Sequence, residues 1–225
     1  MGTIKIAIDG PAGAGKSTIA KAVAKELHFI YIDTGAMYRA VGVAALRRGI
    51  DPTNADAVSG ILDQIQIDIK HMAGEQQVYL NGENVSAEIR TPEASVAASD
   101  VAVIPAVRLK LVELQRQLAQ SENVIMDGRD IGTYVLPDAQ IKIFLTASVE
   151  ARAQRRYKEL LEKGISTSFE DVKSDMIYRD QNDSSREFAP LKPAADSILV
   201  DSTNWSLEET IKQILQIVEI GSKES

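Results

Sequence analysis

Ile4-Lys5-Ile6-Ala7-Ile8-Asp9-Gly10-Pro11-Ala12-Gly13-Ala14-Gly15-Lys16-Ser17-Thr18 carries the sharpest structural signal in the chain. Its first residues, Ile4 to Ile8, form a short apolar run of the kind a buried strand needs. The residues after it, Lys16 to Leu27, are rich in the helix formers Ala, Lys and Glu. The order predicted is strand, tight glycine-rich loop, helix. Gly10 to Ser17 also satisfies G-x-x-x-x-G-K-[ST] in full, in the strand-to-helix setting that gives this pattern its meaning. Glycines let backbone N–H groups turn inward around phosphate oxygens, and the helix N-terminus adds positive potential. Lys16 is then placed to neutralise β- and γ-phosphate oxygens, and Ser17 to serve as a magnesium ligand.

Working outward, short apolar runs recur at Phe29 to Ile32, Val124 to Met126, Ile141 to Leu145 and Ile198 to Val200, separated by helical stretches. Buried parallel strands have this appearance, and five of them imply an α/β fold with a five-stranded parallel sheet. Val107, Leu111, Leu114 and Leu118 keep helical spacing around Arg108, and Ser206 to Glu209 reads as a capping box opening the last helix. One region departs from this order. Gln64 to Ile69 alternates strictly, and Gln77 to Leu80 leads into the hairpin signal Asn81-Gly82. This predicts a small antiparallel insert over 61–90 within a core formed by 1–60 and 91–225, closed by Thr91 as helix N-cap and Pro92 as first helical residue. The tail Gly221 to Ser225 is expected to fray.

Bulk properties narrow the function. The chain has 225 residues, 44% of them hydrophobic, which is enough to bury a substantial core. It has no cysteine, so disulfides, thiolate metal sites and cysteine nucleophiles are excluded. The formal charge of −7 argues against a nucleic-acid partner. No apolar run reaches membrane-spanning length, and Ile6 stands where myristoylation would want Ser or Thr, so no membrane partner and a cytoplasmic setting are expected. A monomer is expected.

Two classes of phosphate-loop protein compete, a kinase with a small acceptor and a GTPase-like switch or motor. No N-K-x-D and no D-x-x-G motif is present. A kinase needs a second anion site and a lid that excludes water. Asp33-Thr34-Gly35-Ala36-Met37-Tyr38-Arg39 and Asp127-Gly128-Arg129-Asp130 each put an arginine just past a predicted strand, where open α/β sheets bind ligands. Asp127, ending an apolar strand, is the candidate acidic group near magnesium. Arg152, Arg155 and Arg156 lie on a helix beginning near Ser148, and a later helix ends in Arg179 to Arg186; the two predict a helical, arginine-bearing lid over about 152–186.

Gly10 to Thr18, Asp33 to Arg39, Asp127 to Asp130, and Ala189-Pro190-Leu191 with Pro193-Ala194-Ala195-Asp196 resemble bacterial cytidylate kinases, nearly end to end. That resemblance implies transfer of the γ-phosphoryl group of ATP to CMP or dCMP with Mg2+. Kinases for UMP, AMP or another small acceptor, and a nucleotide-sensing module without catalysis, are the alternatives. It implies ATP binding by Gly10, Pro11, Ala12, Gly13, Ala14, Gly15, Lys16, Ser17 and Thr18. It implies an acceptor site of Thr34, Tyr38 and Arg39, with Arg39, Arg129 and Arg186 on the CMP phosphate. Ser99, Arg108 and Asp130 would contact cytosine, and Arg179 and Asp183 the ribose. Thr34 is a mild departure, since the family often has Ser there. Lys16, Arg129 and Arg186 are the expected catalytic residues, and His28 and His71 need no chemical role because the acceptor phosphate is already an anionic nucleophile.

Overall fold

The computed structural model describes residues 3–72 and 75–224, and side chains as far as Gly221. The chain forms two compact units, one built from residues up to Tyr31 together with those from Ala119 onward, the other from Ile32 to Leu118.

The first unit holds the five-stranded sheet, in the order β2-β6-β1-β7-β8. Its strands are β1 (Lys5–Asp9), β2 (Ile30–Asp33, beginning here), β6 (Val124–Gly128), β7 (Ile141–Thr146) and β8 (Ile198–Asp201). β1 is central, paired in parallel with β6 (Ile6 opposite Ile125) and with β7 (Ile6 opposite Ile141). Ile6, Ala7 and Ile8 are fully buried, which explains their unbroken apolar run: a strand covered on both faces has no polar side to alternate with. Helix α1 (Lys16–Leu27) and helix α8 (Leu207–Glu224) share one core with the sheet through Ile19, Val23, Ile214 and Val218. The predicted capping box is present: Glu209 N–H donates to Ser206 Oγ at 3.1 Å and Ser206 N–H to Glu209 Oε2 at 2.7 Å. Helix α8 continues through Glu224, into the tail. Gly221 lies so close to β7 that a Cβ there would be 3.0 Å from Ile141 Cγ1; Ser225 lies outside the described residues. Helices α6 (Val149–Glu162) and α7 (Phe169–Ser185) complete the unit, each capped by a serine, Ser148 and Ser168.

The second unit contains α2 (Thr34–Arg47), α3 (Ala55–Ile61), α4 (Pro92–Val101), α5 (Pro105–Leu118) and the antiparallel sheet of β3 (Ile67–Met72), β4 (Glu75–Leu80) and β5 (Glu83–Asn84). Asn81 and Gly82 turn the chain from β4 to β5 with φ of 50° and 83°, the left-handed pair a tight hairpin requires. Strand β3 begins later than the alternation from Gln64 suggests. Leu62–Gln64 is a 3-10 turn, and Gln66 N–H is taken by the Asn81 side chain at 2.8 Å, so the regular ladder starts at Ile67 opposite Leu80. Thr91 caps α4 through Ala94 N–H at 3.1 Å with Pro92 at its first position, as the sequence predicts. Helices α2 and α4 approach closely because Gly42 has no side chain: a Cβ there would be 2.9 Å from Ala97 Cβ.

Candidate active site

The phosphate loop leaves β1 at Gly10, where φ is 149° and a Cβ would fall 1.9 Å from Leu145 O, so only glycine fits between β1 and β7. The loop returns through Gly13 and Gly15, both at positive φ, into α1. Lys16 is 5% exposed and its ammonium donates to Pro11 O at 2.7 Å. Burial pushes its pKa down to about 7; the nearby Arg129 charge adds to this, while Asp127, Asp183 and Asp9 oppose it. A buried ammonium held this far below its ordinary range gains most from an anion, which is what a phosphate brings.

Ser17 Oγ donates to Asp127 Oδ2 at 2.9 Å, and Tyr31 Oη donates to Asp127 Oδ1 at 2.7 Å. The hydroxyl and carboxylate form a hard-oxygen pair that fits magnesium, an ion that commonly takes one or two protein oxygens and completes its shell with water and phosphate. No group of three or more His, Cys, Asp or Glu able to hold a metal occurs among the described residues.

The same unit gathers the later arginines. Arg129 Nε donates to Asp183 Oδ2 at 2.6 Å, and Arg186 lies against the same carboxylate, its Nη2 3.6 Å from Oδ1. Burial raises the Asp183 pKa, but Arg129, Arg186 and Arg179 outweigh it and hold the carboxyl below its ordinary value. Burial likewise opposes the charge of Arg129, and Asp183, Asp127 and Asp180 reverse that effect and raise its pKa. Three cations thus act on one buried acid.

The three arginines of α6 differ from one another. Arg152 is 4% exposed: its guanidinium donates to Ala12 O at 2.8 Å and forks onto Asp180 at 3.1 and 2.7 Å. It thereby ties the phosphate loop to α7. Arg155 donates to Ser202 O at 2.6 Å, and Arg156 pairs with Glu159 at 2.9 Å.

The second unit carries its own polar centre around Asp33. Asp33 Oδ1 caps α2 through Ala36 N–H at 2.9 Å, and Oδ2 accepts from Arg39 Nη2 at 2.8 Å with Arg90 3.4 Å away. Gln76 clamps the backbone of the same residue, accepting from its N–H at 2.8 Å and donating to its carbonyl at 3.1 Å. The Arg39 Nε is buried with no hydrogen-bond acceptor among the described residues, which leaves one edge of the guanidinium for a ligand anion. Arg108 has 0% exposure, donates to Ala102 O at 3.3 Å and stacks over Tyr38, its Cζ 5.6 Å from the ring centroid. Thr34 and Ser99 are also buried in this unit.

Sequence reasoning missed four residues here. Asp9 is 5% exposed at the end of β1 and accepts from Ile131 N–H at 2.8 Å and Gly132 N–H at 2.7 Å. Burial raises its pKa from 3.8 to about 7 against the pull of those two hydrogen bonds, with Asp130 adding to the rise and Lys16 opposing it. A carboxylate ending a strand directly before the phosphate loop was the available signal. Tyr31, Asp180 and Gln76 carried none, because their roles exist only through distant partners.

A sequence profile of the family described as cytidylate kinase matches residues 6–220. The proteins named cytidylate kinase from Caldicellulosiruptor saccharolyticus and Lactobacillus johnsonii are similar to this chain: 52% identical over 96% of each chain for the first, and 50% identical over 98% of this chain and 96% of the other for the second. Among solved structures, an uncharacterized protein from Eubacterium ventriosum aligns over 96% of this chain and 99% of its own with TM-score 0.52 at 13% identity. A sugar kinase from Janibacter sp. HTCC2649 aligns over 97% and 95% with TM-score 0.50 at 14% identity. These two likenesses concern the fold. The profile match and the half-identical relatives, with the phosphate loop and Lys16 intact in the structure, show that the chain belongs to the cytidylate kinase family.

Proposed function

We propose that this chain transfers the γ-phosphoryl group of ATP to CMP, and to dCMP, giving ADP and CDP or dCDP, as a cytoplasmic, magnesium-dependent monomer with neither nucleic acid nor membrane as partner. No helix among the described residues is long and apolar enough to cross a membrane. The observation that carries the reading is the complete phosphate loop with its buried, pKa-depressed Lys16 in a chain half identical to proteins named cytidylate kinase.

The acceptor phosphate attacks as an anion, so no general base is required. Catalysis reduces to alignment and charge neutralisation. Gly10 to Thr18 offer backbone N–H groups to the donor phosphates and Lys16 offers its ammonium. Ser17 and Asp127 would hold magnesium, which when bound would further neutralise the phosphate charge. Arg39, Arg129 and Arg186 hold the CMP phosphate, with Thr34 and Tyr38 beside it. Arg179 and Asp183 hold the ribose. Ser99 and Arg108 donate to the acceptors of cytosine, and Asp130 accepts from its exocyclic amine. The segment 61–90 acts as the acceptor clamp and 152–186 as the lid, in which Arg155 and Arg156 answer the nucleotide while Arg152 braces the loop. An acceptor screen with ATP against CMP, dCMP, UMP, AMP and GMP tests this: kcat/KM is expected to be highest for the two cytidylates. A higher value for UMP or AMP would overturn the substrate assignment.

A further inference from the structure

The turn that follows Arg129-Asp130 has an unusual cap. Ile131–Val135 forms a single π-helical turn in which Tyr134 N–H and Val135 N–H donate to Asp130 O at 2.8 and 3.1 Å. Asp130 is the N-cap residue by position, and aspartate is among the best capping side chains, because its carboxylate accepts the first unpaired N–H groups of a helix. Yet the Asp130 side chain makes no capping hydrogen bond. The two leading amides, of Ile131 and Gly132, instead reach the two oxygens of Asp9, a residue far away in sequence.

The surroundings are built for that arrangement. A Cβ on Gly132 would lie 3.4 Å from Asp9 Oδ2 and 3.1 Å from Lys142 Cδ, so glycine is what lets the amide come this close. Lys142 packs along the turn and is fixed by its ammonium, 2.7 Å from Asp196 Oδ2. Asp9 and Asp130 are both nearly fully buried, and a buried carboxylate holding two consecutive backbone N–H groups is a strong, orientation-defining contact.

We propose that Asp9 is a specificity-positioning residue: it caps the 131–135 turn in place of Asp130, which keeps the Asp130 carboxylate off its own turn and directed to the base of the acceptor nucleotide. The inference rests on the placing of Asp130 at cytosine under Proposed function. Without the Asp9 carboxylate, the two amides need an acceptor, and the nearest by chain position is Asp130 itself. Once Asp130 turns to cap them, it no longer distinguishes an exocyclic amine, which it accepts from, from a carbonyl, which it repels.

The test compares kcat/KM for CMP and for UMP in the full chain and in Asp130→Ala, Asp9→Asn and the double variant. Asp130→Ala is expected to narrow the CMP-to-UMP ratio by roughly 5-fold to 150-fold, the value of one good polar pair to a base. Asp9→Asn, which keeps the shape but loses one acceptor oxygen, is expected to narrow it by at least about 5-fold on the same basis. The double variant should narrow it no further than Asp130→Ala, since both changes remove one interaction. A merely structural role for Asp9 would slow both acceptors by equal factors. An unchanged ratio in Asp9→Asn beside a narrowed one in Asp130→Ala overturns the inference and leaves the base assignment standing. An unchanged ratio in Asp130→Ala removes the base assignment and the inference with it. Should Asp9→Asn fold poorly, amide hydrogen exchange in the unaltered protein decides: strong protection of the Ile131 and Gly132 amides is expected, and exchange at the unprotected rate would overturn the inference.

Discussion

The phosphate loop and the Asp33 centre both gather positive charge, and they do so by opposite means. The loop relies on backbone: Gly10, Gly13 and Gly15 take conformations that side chains rarely adopt, and a single ammonium, Lys16, is buried beside it. The Asp33 centre relies on side chains gathered from α2, β4 and the turn before α4: Arg39, Gln76 and Arg90. Under the proposed function the first holds the donor phosphates and the second, through Arg39, the acceptor phosphate. A backbone cradle leaves a local pattern in the sequence, whereas a side-chain centre exists only after folding.

The division can be attacked most severely at Lys16. Replacing it with alanine should lower turnover by about a thousandfold, because a preorganised charge is lost from a desolvated site. Far-UV circular dichroism and the unfolding midpoint should change little. Near-normal turnover in steady-state assays would mean the loop does not carry the donor chemistry.

The donor side also tolerates a buried charge at a cost, and that cost can be titrated. The folded Asp9 carboxyl is raised from its ordinary 3.8 to about 7, so between those values the native state holds a proton that the unfolded chain releases. Stability contributed at this site therefore falls as pH rises through that window. Asparagine cannot titrate, so the stability of the unaltered protein relative to Asp9→Asn should drop by on the order of 3 kcal/mol between about pH 4 and pH 7. Urea unfolding of both proteins at several pH values measures it; a difference independent of pH would contradict the assigned shift.

On the acceptor side, Arg39→Ala should reduce kcat/KM for CMP by about 100-fold, the usual loss when one anion-binding donor is removed, with the KM for ATP within about twofold of normal. A larger change in the ATP KM than in kcat/KM for CMP would put Arg39 on the wrong phosphate.

The reading of the sequence succeeded where the physics is local. The apolar run Ile4 to Ile8 and the glycine spacing after it announce strand and loop, Asn81-Gly82 announces a tight turn, and Thr91-Pro92 and Ser206 to Glu209 announce helix starts; all are present. It was blind where a role depends on distant partners. Asp9 bonds to amides at 131 and 132, Gln76 to the backbone of Asp33, and Tyr31 to Asp127, and no window of neighbouring residues contains any of these sets of partners. Ser99 and Arg108 entered only through family resemblance, because on a helix pattern they look like surface groups, yet Arg108 has 0% exposure. Arg152 reads as a lid cation for the same reason, since a charge on an amphipathic helix suggests solvent. In the structure it is buried against Ala12 O and Asp180.

The most direct test of the division between donor loop and acceptor centre is a set of four calorimetric titrations, ATP and CMP each into Lys16→Met and Arg39→Met, compared with the unaltered protein. Lys16→Met should lose ATP affinity by about tenfold or more while CMP affinity holds, and Arg39→Met should show the reverse. Equal losses of both ligands in both variants would contradict the account.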